Sequence, residues 1–194
     1  MEQNKFKLYN EQLNQWNDRS RFYQCTFYSM AVNLSYNCWI KLTKEDIDSI
    51  AKIQNEAGLF SYTEWWRWID WANAVLKFIR DNSQTRGWKI PQLIQLADDN
   101  SIMNYLNNWY AVVTWISVNK QFIQDVPDWT IDTLDYKSLA WNDLKHYLNM
   151  IIQNWGWLVD NYAWNSQWRQ WLYQCDISQV LEDLTQHIKY VFTY

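Results

Sequence analysis

Apolar positions recur at helical spacing through the first half of the chain and at strand spacing through the second. The opening twenty or so residues are polar and irregular. From Cys25 to about Asn37 the spacing predicts a helix with Met30, Ala31 and Leu34 on one face. Asn37-Cys38-Trp39-Ile40 closes it, provided that residue 39 takes the left-handed conformation of a helix C-terminus. Thr43, with Asp46 three residues on, forms a capping box, and the helix it opens carries Ile47, Ile50 and Ile53 inward and ends near Gly58. A third helix, Asp70 to Asp81, has Ala74, Val75, Phe78 and Ile79 on its apolar side; a short fourth runs from Ser101 to Asn108.

The period then changes. Tyr110 to Thr114 reads as a buried strand. Thr130 to Leu134, Tyr147 to Ile152, Leu158 to Tyr162 and Leu172 to Ile177 follow as strands, separated by turn residues. Ser178 caps a last amphipathic helix holding Val180, Leu181, Leu184, Ile188 and Val191. Helices first and strands second describe an α+β chain. Its 194 residues suit one domain, 1–194, with a helical half over about 20–108, a β half over about 109–177 and an added C-terminal helix over about 178–192.

Composition changes this picture at the turns. The chain holds 16 Trp and 3 Gly, whereas ordinary domains use Gly at about 7%. Trp stands where turns and caps want Gly, as in Pro127-Asp128-Trp129-Thr130, Asn37-Cys38-Trp39 and Trp65-Trp66-Arg67-Trp68. An indole in a left-handed turn costs roughly 1–2 kcal/mol that glycine does not. The pattern is the one expected when a UGA codon that means glycine is translated as tryptophan. The abundant Asn, Ile, Lys and Tyr fit the AT-rich genome in which such recoding arises. On this reading residues 39, 129 and 164 sit in turns with φ > 0. Read literally, the chain is instead a Trp-rich binder of carbohydrate or of a membrane interface, working through exposed indoles.

A net charge of −4 and a pI near 5.1 give no basic footprint for nucleic acid. No run of eighteen apolar residues spans a membrane, and the polar start Met1-Glu2-Gln3-Asn4-Lys5 carries no secretory signal. Cys25, Cys38 and Cys175 lack metal-ligand spacing. They favour reduced thiols, with one disulfide and one free thiol as the alternative. The expectations are no metal, no cofactor, no membrane, and a monomer in the cytoplasm or associated with a phage or virion.

Three residues could carry chemistry. Cys25 sits at the predicted start of a helix, where the helix dipole favours the thiolate. On position alone a small buried apolar cysteine is the first reading. His146 opens the strand His146-Tyr147-Leu148-Asn149-Met150-Ile151-Ile152, where an imidazole can face a thiol across a cleft as its base, or be an ordinary surface histidine. Asn161 ends the next strand, and a short turn between two antiparallel strands puts these ends side by side. Its amide can then fix the imidazole tautomer as the third member of a Cys-His-Asn triad. Asp160 would point to the opposite strand face.

With Trp164, Trp168 and Trp171 read as glycine, residues 161–173 become Asn-Tyr-Ala-Gly-Asn-Ser-Gln-Gly-Arg-Gln-Gly-Leu-Tyr. This resembles the N-S-W-G-x-x-W-G-x-x-G-Y signature of papain-like cysteine peptidases. Asn14-Gln15-Trp16 resembles the N-Q-G that carries the oxyanion-hole Gln of that family, and Cys25-Thr26-Phe27-Tyr28-Ser29 is similar to its C-W-A-F-S. Trp65-Trp66 resembles the Gly-Gly that lines the substrate cleft before a helix. The resemblance covers roughly residues 14 to 177. It departs from the family in the longer spacer from Gln15 to Cys25, in Tyr162-Ala163 after the Asn, and in the missing cleft-wall disulfide.

The resemblance implies a papain-like fold, with the helical half packed on an antiparallel β-barrel half and a cleft between them. It implies a peptide or protein substrate, Cys25 as nucleophile, His146 as base, Asn161 as orienting residue, Gln15 in the oxyanion hole, and positions Trp65 and Trp66 along the substrate. An inactive relative that only binds peptides is the alternative within that fold.

Overall fold

The computed structural model describes residues 25–58, 68–118, 144–153, 155–159, 172–175, 177, 181 and 189–194. Helix α1, Cys25–Cys38, is apolar on nearly every side, which makes a helix an interior element rather than a surface one. Phe27, Tyr28, Met30, Ala31, Val32 and Leu34 are all buried, and so are Thr26, Ser29 and Asn33. The single apolar face expected from Met30, Ala31 and Leu34 is therefore too narrow. A sheet covers α1 on one side, while α2 (Lys44–Glu56) and α3 (Trp68–Arg86) pack on another.

The capping box at α2 forms as its sequence dictates. Thr43 Oγ1 accepts from Asp46 N at 3.2 Å, and Asp46 Oδ2 accepts from Thr43 N at 2.9 Å. Ile47 and Ile50 face inward, but Ile53 is 57% exposed and Gln54 is buried in its place. Two successive steps of three fall behind the 3.6-residue turn, so the inward stripe continues through Ala51 and Gln54. Helix α3 is longer than predicted at both ends. Arg86, its last residue, forks onto Asp46 at 2.6 and 2.7 Å and locks α3 to the start of α2.

Among the described residues, φ is positive at Gly58, Gly87, Trp39 and Trp109, and nowhere else. Trp39, at φ 58°, follows α1 and takes the left-handed conformation expected of it. Trp109, at φ 66°, does the same after α4 (Asp99–Asn107) and was not among the expected turns. Both indoles project into solvent, 68% and 59% exposed. Residues 129 and 164 lie outside the described set.

The sheet comprises β1 (Gln92–Leu96), β2 (Val112–Val118), β3 (Leu144–Gln153), β4 (Trp155–Val159), β5 (Leu172–Cys175) and β6 (Lys189–Thr193). Its order is β1-β6-β2-β3-β4-β5, antiparallel at every pairing. The chain is thus α+β, with two departures from the expected order. Strand β1 precedes α4, and residues 189–193, expected to end the last helix, form a strand between β1 and β2. All five residues of β6 are buried. A strand covered on both faces shows no polar alternation, so its sequence does not distinguish it from a buried helix.

Helices flank both faces of this sheet. Ala111, Val113, Ile151, Tyr190 and Phe192 join the core built around α1, α2 and α3. Their alternates Val112, Met150 and Val191 are also buried, on the face where Ile102 and Leu106 of α4 pack. Lys189, on that same face, reaches Asp99 of α4 at 3.9 Å. The short fourth helix therefore belongs to the far side of the sheet, not to the helical layer that precedes it.

Candidate active site

Two buried asparagines, Asn33 and Asn149, and the half-buried Asn37 fix how α1 lies on the sheet. Asn149 of β3 donates through Nδ2 to Ser29 O at 3.0 Å, and its Oδ1 accepts from Asn33 Nδ2 at 3.0 Å. Asn33 Nδ2 also donates to Ala111 O at 2.7 Å, while its Oδ1 accepts from Phe192 N at 3.0 Å and from Asn37 Nδ2 at 3.0 Å. One turn further, Asn37 accepts from Ala111 N at 2.8 Å and donates to Ala111 O and Phe192 O at 2.9 and 3.0 Å. Buried amides are costly unless paired, and here both ends of each are satisfied.

The order of these contacts gives α1 a direction. Its contacts pass from Asn149, at Ser29 and Asn33, to Ala111 and Phe192, at Asn33 and Asn37. Val112 pairs with Met150, and Ile116 pairs with His146, so Ala111 and His146 lie toward opposite ends of the β2–β3 ladder. The N-terminal end of α1, which begins at Cys25, accordingly points to the end of β3 that holds His146. Strand β4 runs the same way: Gln153 faces Trp155 and Asn149 faces Val159, so its last residue, Val159, is its nearest to that end.

Cys25 and His146 are described by backbone position. Cys25 is the first residue of α1, and His146 is the third residue of β3, two positions further inside the strand than expected. Gln15, Trp65, Trp66 and Asn161 lie outside the described residues. The β2–β3 ladder is unbroken from Leu144 to Met150. Positions 146 and 149 are therefore on opposite faces of a regular pleat, with 149 on the α1 face and 146 on the face of Met150.

Cys38 sits at the far end of α1. It is free and buried, and burial pushes it up to about 12 against a smaller lowering by Lys89. Such a thiol stays protonated and inert. Tyr194 Oη donates to the carbonyl of Cys38 at 2.8 Å and seals this end of α1 with the chain's last residue. The two ends of one helix thus differ: the Cys25 end has a helix N-terminus, and the Cys38 end has a plug.

The asparagine network is not among the residues that the sequence pattern singles out. Its signal was present: Asn33 and Asn37 stand one turn apart in an otherwise apolar helix, and Asn149 interrupts an apolar strand. Among the described residues no group of three or more His, Cys, Asp or Glu could hold a metal ion, and no helix is long and apolar enough to cross a membrane. Comparison with protein-family models, with curated proteins and with solved structures finds no match to this chain.

Proposed function

We propose that the protein is a cysteine peptidase of papain-like fold, cleaving peptide bonds through an acyl-enzyme on Cys25. The observation that supports it most is convergence. The start of α1, the His146 end of β3 and the outgoing end of β4, which leads toward Asn161, all lie toward one end of the sheet. Those are the three chain segments that the residue pattern assigns to nucleophile, base and orienting amide.

In this reading His146 takes the Cys25 thiol proton, and the thiolate attacks the carbonyl carbon of a peptide. The oxyanion that forms accepts hydrogen bonds from Gln15 and from the backbone N–H of Cys25. The amine leaves with the proton held by His146, and water, deprotonated by the same imidazole, releases the acyl group. Asn161 keeps the imidazole in the tautomer that points to sulfur. Glycine-like backbone at 65 and 66 lets an extended substrate lie close. The enzyme acts as a monomer and needs no metal or cofactor.

The pleat position of His146 favours a second reading, a peptide-binding relative without turnover. Catalysis requires β3 to change face between positions 146 and 149, as a bulge does. Incubation with a mixture of peptides, followed by mass spectrometry, separates the two. The peptidase reading expects cleavage that Cys25→Ala abolishes and Asn161→Ala only reduces. Undiminished cleavage by Cys25→Ala rejects the nucleophile, and binding without cleavage by the unmodified chain selects the binder.

A further inference from the structure

The asparagine network has a geometry that the proposed chemistry can use. Among the described residues, Asn149 ties β3 to α1 by side-chain hydrogen bonds, one donated to Ser29 O and one accepted from Asn33. Ser29 is one helical turn from Cys25, and Asn149 is three strand positions from His146. A turn of helix advances about 5.4 Å and three strand residues about 10 Å. The amide therefore sits at the junction from which both reacting segments extend. It is 1% exposed, so water does not compete for its bonds.

Resting on the peptidase reading, we propose that Asn149 is a positioning residue that sets the separation between the Cys25 end of α1 and the His146 segment of β3. An apolar side chain of similar size would fill the same space. It would leave an Asn33 proton unpaired in the core and remove the bond from the sheet to Ser29 O, and α1 would be free to slide along the sheet. Even a displacement of about 1 Å between reacting groups carries a large kinetic penalty. Asn37 holds the same helix to Ala111 and Phe192 at its other end, so it supports the layer without touching Asn149.

The test is the pH profile of Cys25 alkylation by iodoacetamide in the full chain, read by peptide mass so that Cys38 and Cys175 are scored separately. In the unmodified protein a thiolate paired with His146 should react well below the usual cysteine range, and His146→Ala should abolish that acid limb. An ordinary thiol profile, unmoved by His146→Ala, rejects the peptidase reading itself. Given the acid limb, Asn149→Ala and Asn149→Asp decide the further proposal. Asp keeps the acceptor for Asn33 and replaces only the bond donated to Ser29 O. The expected result in whichever variant folds, shown by an unreactive Cys38, is about a tenfold loss of Cys25 alkylation near pH 6. A folded variant whose profile superposes on that of the unmodified chain overturns the positioning role and leaves the peptidase reading intact.

Discussion

Helices α3 and α4 end in the same way with different residues. After α3, Trp88 N donates to Ser83 O at 2.9 Å around Gly87, at φ 65°. After α4, Tyr110 N donates to Tyr105 O at 3.0 Å and Trp109 N to Leu106 O at 3.1 Å, around Trp109 at φ 66°. Both are helix stops in which a left-handed residue turns the chain so that the last carbonyls find donors. A Cβ built at Gly87 meets nothing within 4 Å, so space does not demand glycine there. What demands it is the backbone itself, where any side chain clashes with its own carbonyl. Tryptophan at the same φ bears that strain and, being exposed, gains little burial in return. The comparison separates tryptophans that occupy glycine positions from those that fill space.

The largest expected effect tests the second class. Trp71 lies within α3, 2% exposed, with its ring 6.0 Å from that of Phe27. Replacement by glycine removes a buried indole and adds a flexible residue to a helix interior. We expect Trp71→Gly to cost about 4 kcal/mol, read as a lower urea midpoint. Unchanged or raised stability would move Trp71 into the class of Trp39 and Trp109, and would extend the recoding reading to the core.

A second difference between the two helix ends is electrostatic. Gly87 is flanked by Arg86, which pairs with Asp46 and lies 4.7 Å from the Trp88 ring, whereas α4 has no basic residue in its last turn. Burial alone would raise the Asp46 carboxyl, but hydrogen bonds from Arg86 and Thr43 outweigh it and hold the group below its usual range. A carboxyl depressed in the folded state stabilises above its unfolded pKa, about 3.9, and that contribution fades as pH falls through the lower folded value. Arg86→Met should therefore cost about 2 kcal/mol near pH 7. Its urea midpoint should approach that of the unmodified chain below about pH 3. A deficit that persists undiminished in acid would assign the loss to packing on Phe78 and Trp88 instead.

What the residue pattern disclosed follows the range of the interactions. The capping box at Thr43 and Asp46 and the left-handed Trp39 are local, and both were legible because neighbouring residues alone determine them. Trp109 obeys the same rule, just past the end of the helix expected over Ser101 to Asn108. Strand β6 was not legible. Lys189 to Thr193 becomes a strand because β1 and β2 lie on either side of it, and neither partner is close in sequence. The candidate site divides the same way: Cys25 at a helix start was read from its neighbours, but the Asn149 bond to Ser29 joins residues 120 positions apart.

The smallest effects carry the comparison itself. Trp109→Gly and Trp39→Gly should each raise stability by about 1 kcal/mol, since the left-handed strain disappears and little buried surface is lost. Gly87→Ala should lower it by about the same amount, because the added methyl has room but the backbone does not tolerate it. Opposite signs with similar magnitudes are the signature of a shared backbone requirement, and urea unfolding with a common slope resolves them. If Trp109→Gly instead destabilises, the indole makes a contact worth more than its strain, and tryptophan at that helix end is a chosen residue. The gene offers an independent check: UGG at codons 39 and 109 would mean that the strain is real and retained, and UGA at both would mean that the chain as made in its own cell carries the glycines its helix ends are shaped for.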